Sequence, residues 1–215
     1  MQTADYVSAL DLIPHPEGGY FRETHRSGSI PMSTRGQTDF GQCVSNEAYQ
    51  SLCLTHHREH RRPDGDSRRN CLTSIIWMPT VKQKMLYLGK NLSDHVHYWQ
   101  GGNSFEYHIY DPITKSLKRE VLGPNVKRGE KLQVPVKGGS WKCGRLLEGP
   151  SDCSVIGEGV APGFDFHDFE WITKIMISSI ADQDKCGILF NYLHKDIANV
   201  AGKEVHDSEN YYKNN

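Results

Sequence analysis

Apolar positions along this chain follow two different periods. Near the N-terminus, Ala4, Val7 and Leu10 recur at helical spacing, so residues 3–12 are predicted to form a short helix with Thr3 as a candidate N-cap. Pro14 stops it. From Leu72 onward the period shortens. LTSIIWM, MLYL, HVHYW, FEYHIY, LKREVL, LQVPV, the run 141–147, CSVIGEGV and FEWITKIMI are brief and rich in β-branched and aromatic residues, as strands are. Gly101-Gly102, Asp111-Pro112, Gly123-Pro124, Gly138-Gly139, Gly149-Pro150 and Pro162-Gly163 separate them. Many short strands at regular spacing predict an all-β antiparallel sandwich or barrel.

Between helix and strands lies LIPHPEGGYFRETHRS, residues 12–27, which runs from proline and glycine punctuation into a segment dense in polar chemistry. Gly18-Gly19 supplies a sharp turn. From Tyr20 the pattern is extended, with Tyr20, Arg22, Thr24 and Arg26 on one face and Phe21, Glu23 and His25 on the other. Charges on both faces suit an edge strand or a strand lining a wet cavity. Residues 31–70 then form a long insertion, too long for an ordinary loop. It holds His56, His57 and His60, but Arg58, Arg61 and Arg62 beside them oppose a cation, so an anion-attracting or disordered loop is expected. These patterns predict one domain over residues 1–180 and a C-terminal extension over 181–215, partly helical or disordered. WITKIMISSIADQDKCGILFNYL could give one more strand and a short helix, and HDSENYYKNN a frayed tail.

Composition narrows the function classes. A formal net charge of −1 over 215 residues gives no electrostatic case for nucleic acid or an anionic membrane as partner. No apolar run reaches the ~20 residues of a membrane span, and MQTADYVSALDLIP lacks the basic start and apolar core of a secretory signal, so a cytoplasmic location is expected. The six cysteines show no C-x-x-C spacing and read as reduced structural residues.

The run HPEGGYFRETHRS resembles the N-terminal signature of a small family of the cupin superfamily. Ser93-Asp94 followed by Gly102, and VAPGFDFHDFE over residues 160–170, agree with it in order. The resemblance implies a double-stranded β-helix, the cupin jelly-roll barrel, with a short N-terminal helix and a long insertion after the first strand. It also implies a homodimer. Many cupins hold a metal through histidines and a glutamate in two motifs. Gly89, five residues and then His95-Val96-His97 match half of the first, but Gly101 or Gly102 stands at the glutamate position. In the second, Trp141 stands where a histidine is expected. The register of the resembled family puts His95 at a glutamate position, Gly89 near a first histidine and Tyr98 at a later one. That register depletes the metal set.

His95 and His97 alternate with Val96, so both point to one face of a strand. They are the candidate base, with Tyr98 (or Tyr107) as acid partner. His15, Glu17, Tyr20, Arg22 and Glu23 are candidate substrate-binding groups, Arg22 and Arg26 being able to fork onto a carboxylate or phosphate. Trp99, Trp141, Phe164 and Phe166 are candidate apolar walls, and Asp165 orients a histidine or caps its turn. Three readings stay open. The first is a cupin without a metal cofactor that binds a small polar or anionic, sugar-like molecule and transfers protons as epimerases and isomerases do. The second is a non-catalytic binding or scaffold protein. The third is a metal-dependent oxygenase or hydrolase on His95, His97 and Glu106 or His108.

Overall fold

The computed structural model describes residues 3–30, 69–165, 168–180 and 186–195. The expected insertion, apart from its last two residues, and the expected frayed tail lie outside the described residues, as does Phe166. Helix α1 (Thr3–Ala9) ends three residues earlier than its apolar period, because Asp11 takes a φ of 48° and turns the chain toward β1 (Ile13–Pro14). The strands that follow are β2 (Tyr20–Arg26), β3 (Ser29–Ile30), β4 (Arg69–Asn70), β5 (Thr73–Met78), β6 (Met85–Asn91) and β7 (Asp94–Gly102). After them come β8 (Phe105–Asp111), β9 (Ser116–Leu122), β10 (Gln133–Val136), β11 (Trp141–Leu146), β12 (Ser154–Ala161) and β13 (Phe169–Trp171).

Two antiparallel sheets carry the fold as a jelly roll, ordered β1-β2-β5-β12-β7-β10 and β13-β6-β11-β8-β9. Period-2 alternation decides what lies between them. Trp77, Ile156, Val134 and Val136 of the first sheet meet Leu86, Phe105, Tyr107, Ile109 and Leu146 of the second in one buried cluster. The outer face of the first sheet is covered at Met78 and Val155 by Tyr6, Val7 and Leu10 of the α1 segment. The second sheet is covered from outside as well. Leu88, Tyr110, Trp141 and Cys143 pack there against Ile172, Ile177, Leu189 and Tyr192.

That outer layer changes two expectations. FEWITKIMI does not run on as a strand: the Thr173 side chain accepts from the Met176 N–H and starts α2 (Lys174–Ser178) directly after β13. The packed core also continues past residue 180, because the 3₁₀ segment Gly187–Tyr192 buries Leu189 and Tyr192 on the sheet. Of the four described cysteines, Cys143, Cys153 and Cys186 are buried. Among the described residues no helix is long and apolar enough to cross a membrane.

Among the described residues, one ion pair lies wholly inside. Arg69 and Asp168, 3% and 1% exposed, join through Nε–Oδ2 at 2.6 Å and Nη2–Oδ1 at 2.8 Å. They clamp β4 to the turn before β13. Asp168→Ala is expected to cost about 3–5 kcal/mol, since it takes both carboxylate contacts from a buried guanidinium. The Arg69→Met/Asp168→Leu double variant should recover much of that loss. Urea midpoints of the three proteins check this, and a double variant no better than the single one would contradict it.

Candidate functional site

Strand β7 sets the position of the site. His95 and His97 face inward, opposite Val160 and Glu158 of β12 on one side and Val136 and Val134 of β10 on the other. Both rings are buried, His97 completely. Tyr98, between His97 and Trp99, therefore faces outward and is 39% exposed; it does not join the histidines. Tyr107 takes the inner place instead, its ring centroid 4.8 Å from that of His97.

Across the interior, β11 contributes a residue that its sequence did not advertise. Trp141 and Cys143 belong to the outer cluster, and Lys142 between them points in. Lys142 Nζ lies 3.1 Å from His97 Nε2 and 3.6 Å from Glu158 Oε1, while His97 Nδ1 lies 3.8 Å from Glu158 Oε2. Trp141 is thus no wall of the site: it packs outward on Tyr110 at 5.1 Å. Glu106 and His108 fail as ligands for the same reason of parity. Phe105, Tyr107 and Ile109 of β8 take the inner face, and Glu106 turns outward to Arg119 and Arg145, with His108 Nε2 3.5 Å away.

The glycine-rich turn brings two further candidates in. Gly18 at φ 110° and Gly19 at φ 79° press so close to the Met85 and Met78 carbonyls that a Cβ would collide with either. Trp77 Nε1–H donates to the Gly18 carbonyl at 2.8 Å, and the Glu17 N–H donates to His15 Nδ1 at 3.1 Å. The His15 ring stands edge-on to Phe21, itself packed on the inner cluster. Burial, then the charge of Lys142, pushes the His15 imidazole down to about 3. Burial pushes the Glu17 carboxyl up to about 7, with Lys142 pulling the other way and Glu158 adding to the rise.

The remaining candidates lie elsewhere. Arg22 is exposed and donates to Asp11 Oδ2 and the Leu10 carbonyl; Glu23 accepts both prongs of Arg26. Tyr20 packs on the outer face with Leu12 and Met78. Phe164 and Asp165 follow β12 near the His95 end, held by the Phe164 N–H on Thr73 Oγ1 and by the Asp168 N–H on the Asp165 carbonyl.

Hydrogen-bond counting fixes the tautomers. His95 Nδ1 lies 3.0 Å from the Ser93 carbonyl, which can only accept, so the proton sits on Nδ1 and Nε2 keeps a bare lone pair. That Nε2 is buried without a partner, as are His97 Nδ1 and the Tyr107 hydroxyl. Burial first, and then Lys142, hold both imidazoles well below 6.5; for His97 the neighbouring His95 adds to this. Burial, then Glu158, holds the Tyr107 phenol well above 10.

With the fold and site described, the comparisons place the chain. A family model described as Cupin superfamily (DUF985) matches residues 4–172. The chain belongs to that family. This cupin is 30% identical over 169 residues to Uncharacterized protein YML079W of Saccharomyces cerevisiae, a match spanning 77% of the chain and 73% of that protein. A hypothetical protein from Leishmania major shares the fold at a TM-score of 0.66 and 24% identity, over 91% of this chain and all of that one. Protein SO0799 from Shewanella oneidensis does so at 0.64 and 20%, over 90% and 98% of the two chains.

Cupins commonly hold a metal, and this cupin presents a candidate donor group. Ligand atoms of His95, His97 and Glu158 lie within 4.8 Å of one another. Gly89, which the resemblance puts near a first histidine, offers nothing, for the Phe169 ring fills the space a side chain would need. The fit fails on Lys142. An ammonium only donates, so His97 Nε2 must accept from it, and the imidazole proton goes to Nδ1. Neither nitrogen of His97 then has a lone pair to give, leaving two ligands where three are usual. Charge opposes the ion as well: unit charges about 4 Å apart repel by about 4 kcal/mol at an effective dielectric of about 20, and a dication doubles that. The donor group fits a metal only without the ammonium.

Glu17 gives this site a pH signature. Its carboxyl titrates near 7 when folded and near 4.5 when unfolded, so the folded protein binds the extra proton between those values. Stability is therefore lost as pH rises from about 4.5 through 7, by at most about 3 kcal/mol. Glu17→Gln should match the wild type at pH 5 and exceed it at pH 8 in urea unfolding. A difference that does not change with pH would contradict this.

Proposed function

We propose that this cupin binds a small anionic hydroxy or carbonyl compound between its sheets and moves a proton on the carbon next to the carbonyl, as epimerases and isomerases do, without a metal. The observation that carries the reading is His95 Nε2, a buried and unpartnered lone pair inside the same barrel as the Lys142 ammonium and the Tyr107 hydroxyl. Ser93 holds the base in the right tautomer. Because burial keeps His95 far below 6.5, it is unprotonated and ready to accept across the neutral range. Lys142 supplies the positive charge that stabilises an enolate oxygen as it forms. Tyr107, protonated throughout the neutral range, returns a proton. Glu158 holds Lys142 in place at 3.6 Å, and His15 and Glu17 close the site from the turn.

The test is solvent exchange. Incubation in D₂O with a panel of small hydroxy acids, 2-oxo acids and sugar nucleotides should put deuterium on the carbon beside the carbonyl of at least one. His95→Gln should lower that exchange by about 10²–10⁴-fold, with Tyr107→Phe lowering it less. An absence of exchange across the panel, or undiminished exchange in His95→Gln, would refute the reading.

A further inference from the structure

The obstacle to a metal is one side chain, and what remains around it is built as a metal site is built. Two imidazoles and one carboxylate are the donors of the facial triad that binds borderline divalent metals. His95 already donates its Nδ1–H to a backbone carbonyl, as ligating histidines do through the nitrogen they do not use on the metal. Glu158, opposite His97 and largely shielded, has Lys142 as its cation inside the barrel. Removing that cation leaves a shielded carboxylate that needs another. It also frees a lone pair on His97.

We infer that Lys142 is the resident cation of this barrel, held where its charge and its hydrogen bond to His97 keep a divalent metal off His95, His97 and Glu158, and that removing its charge opens a three-ligand site for a metal such as Co(II) or Zn(II). The inference concerns binding and does not rest on the proton-transfer reading. Both can hold, and either can fail alone.

Chelator-treated full-length wild type, Lys142→Met and Lys142→Met/Glu158→Gln are titrated with Co(II). The readouts are the visible absorption of the bound ion and the metal retained after gel filtration. Lys142→Met, whose unbranched stem is of similar length, should bind one equivalent on the order of 100-fold or more tightly than wild type. Glu158→Gln in that background should abolish the gain. Lys142→Gln serves where the methionine variant does not fold. Two results would overturn the inference: a folded Lys142 variant that binds no more tightly than wild type, or a gain indifferent to Glu158→Gln.

Discussion

The interior of this barrel depends on a single ammonium group. Lys142 reaches from the second sheet to two residues of the first, its ammonium lying 3.1 Å from His97 Nε2 and 3.6 Å from a Glu158 carboxylate oxygen. Burying a charge among apolar neighbours is costly unless it is paired and hydrogen-bonded. Glu158 provides the pairing and His97 the acceptor. The same contact fixes the His97 tautomer, helps hold His15, His95 and His97 unprotonated, and opposes the rise that burial imposes on Glu17. One positive charge thus acts, second to burial, on the protonation of groups drawn from two separate parts of the chain.

The frame and the chemistry are set by different residues. The frame comes from inward alternation on β5, β8, β10 and β12, and from a glycine pair that only a side-chain-free backbone could press against two carbonyls. Those features lie within the span shared with the DUF985 family. The chemistry comes from what stands at a few inward positions of that frame. The Phe169 ring fills the space beside Gly89, and Lys142 places a positive charge against His97.

Much of this was legible in the chain, and the limits have physical causes. Period 2 put His95 and His97 on one face, and Gly18-Gly19 announced the turn that carries His15 and Glu17. The same period, applied to FEYHIY, would have sent Glu106 and His108 outward with Phe105, Tyr107 and Ile109 inward; ligand chemistry outweighed parity there. Glu158 also left a signal, since it shares a face with Ile156 and Val160 while Gly157 and Gly159 take the other. Lys142 left none. Strand β11 is covered on both faces, outward by Ile172, Ile177 and Leu189, so the apolar Trp141 and Cys143 gave no hint that they point away from the site. A short helix was expected within residues 171–193, but the apolar run FEWITKIMI reads as strand over the place where Thr173 caps α2.

The most direct test of this account is the protonation of two imidazoles. Long-range ¹H–¹⁵N correlation spectra of histidine-labelled protein, assigned with His95→Gln and His97→Gln, report which ring nitrogen carries the proton. With Lys142 donating to His97 Nε2 and the Ser93 carbonyl accepting from His95, both rings should be neutral and protonated on Nδ1 at pH 7. A proton on His97 Nε2 would mean that Lys142 does not donate there, and the central claim would fall.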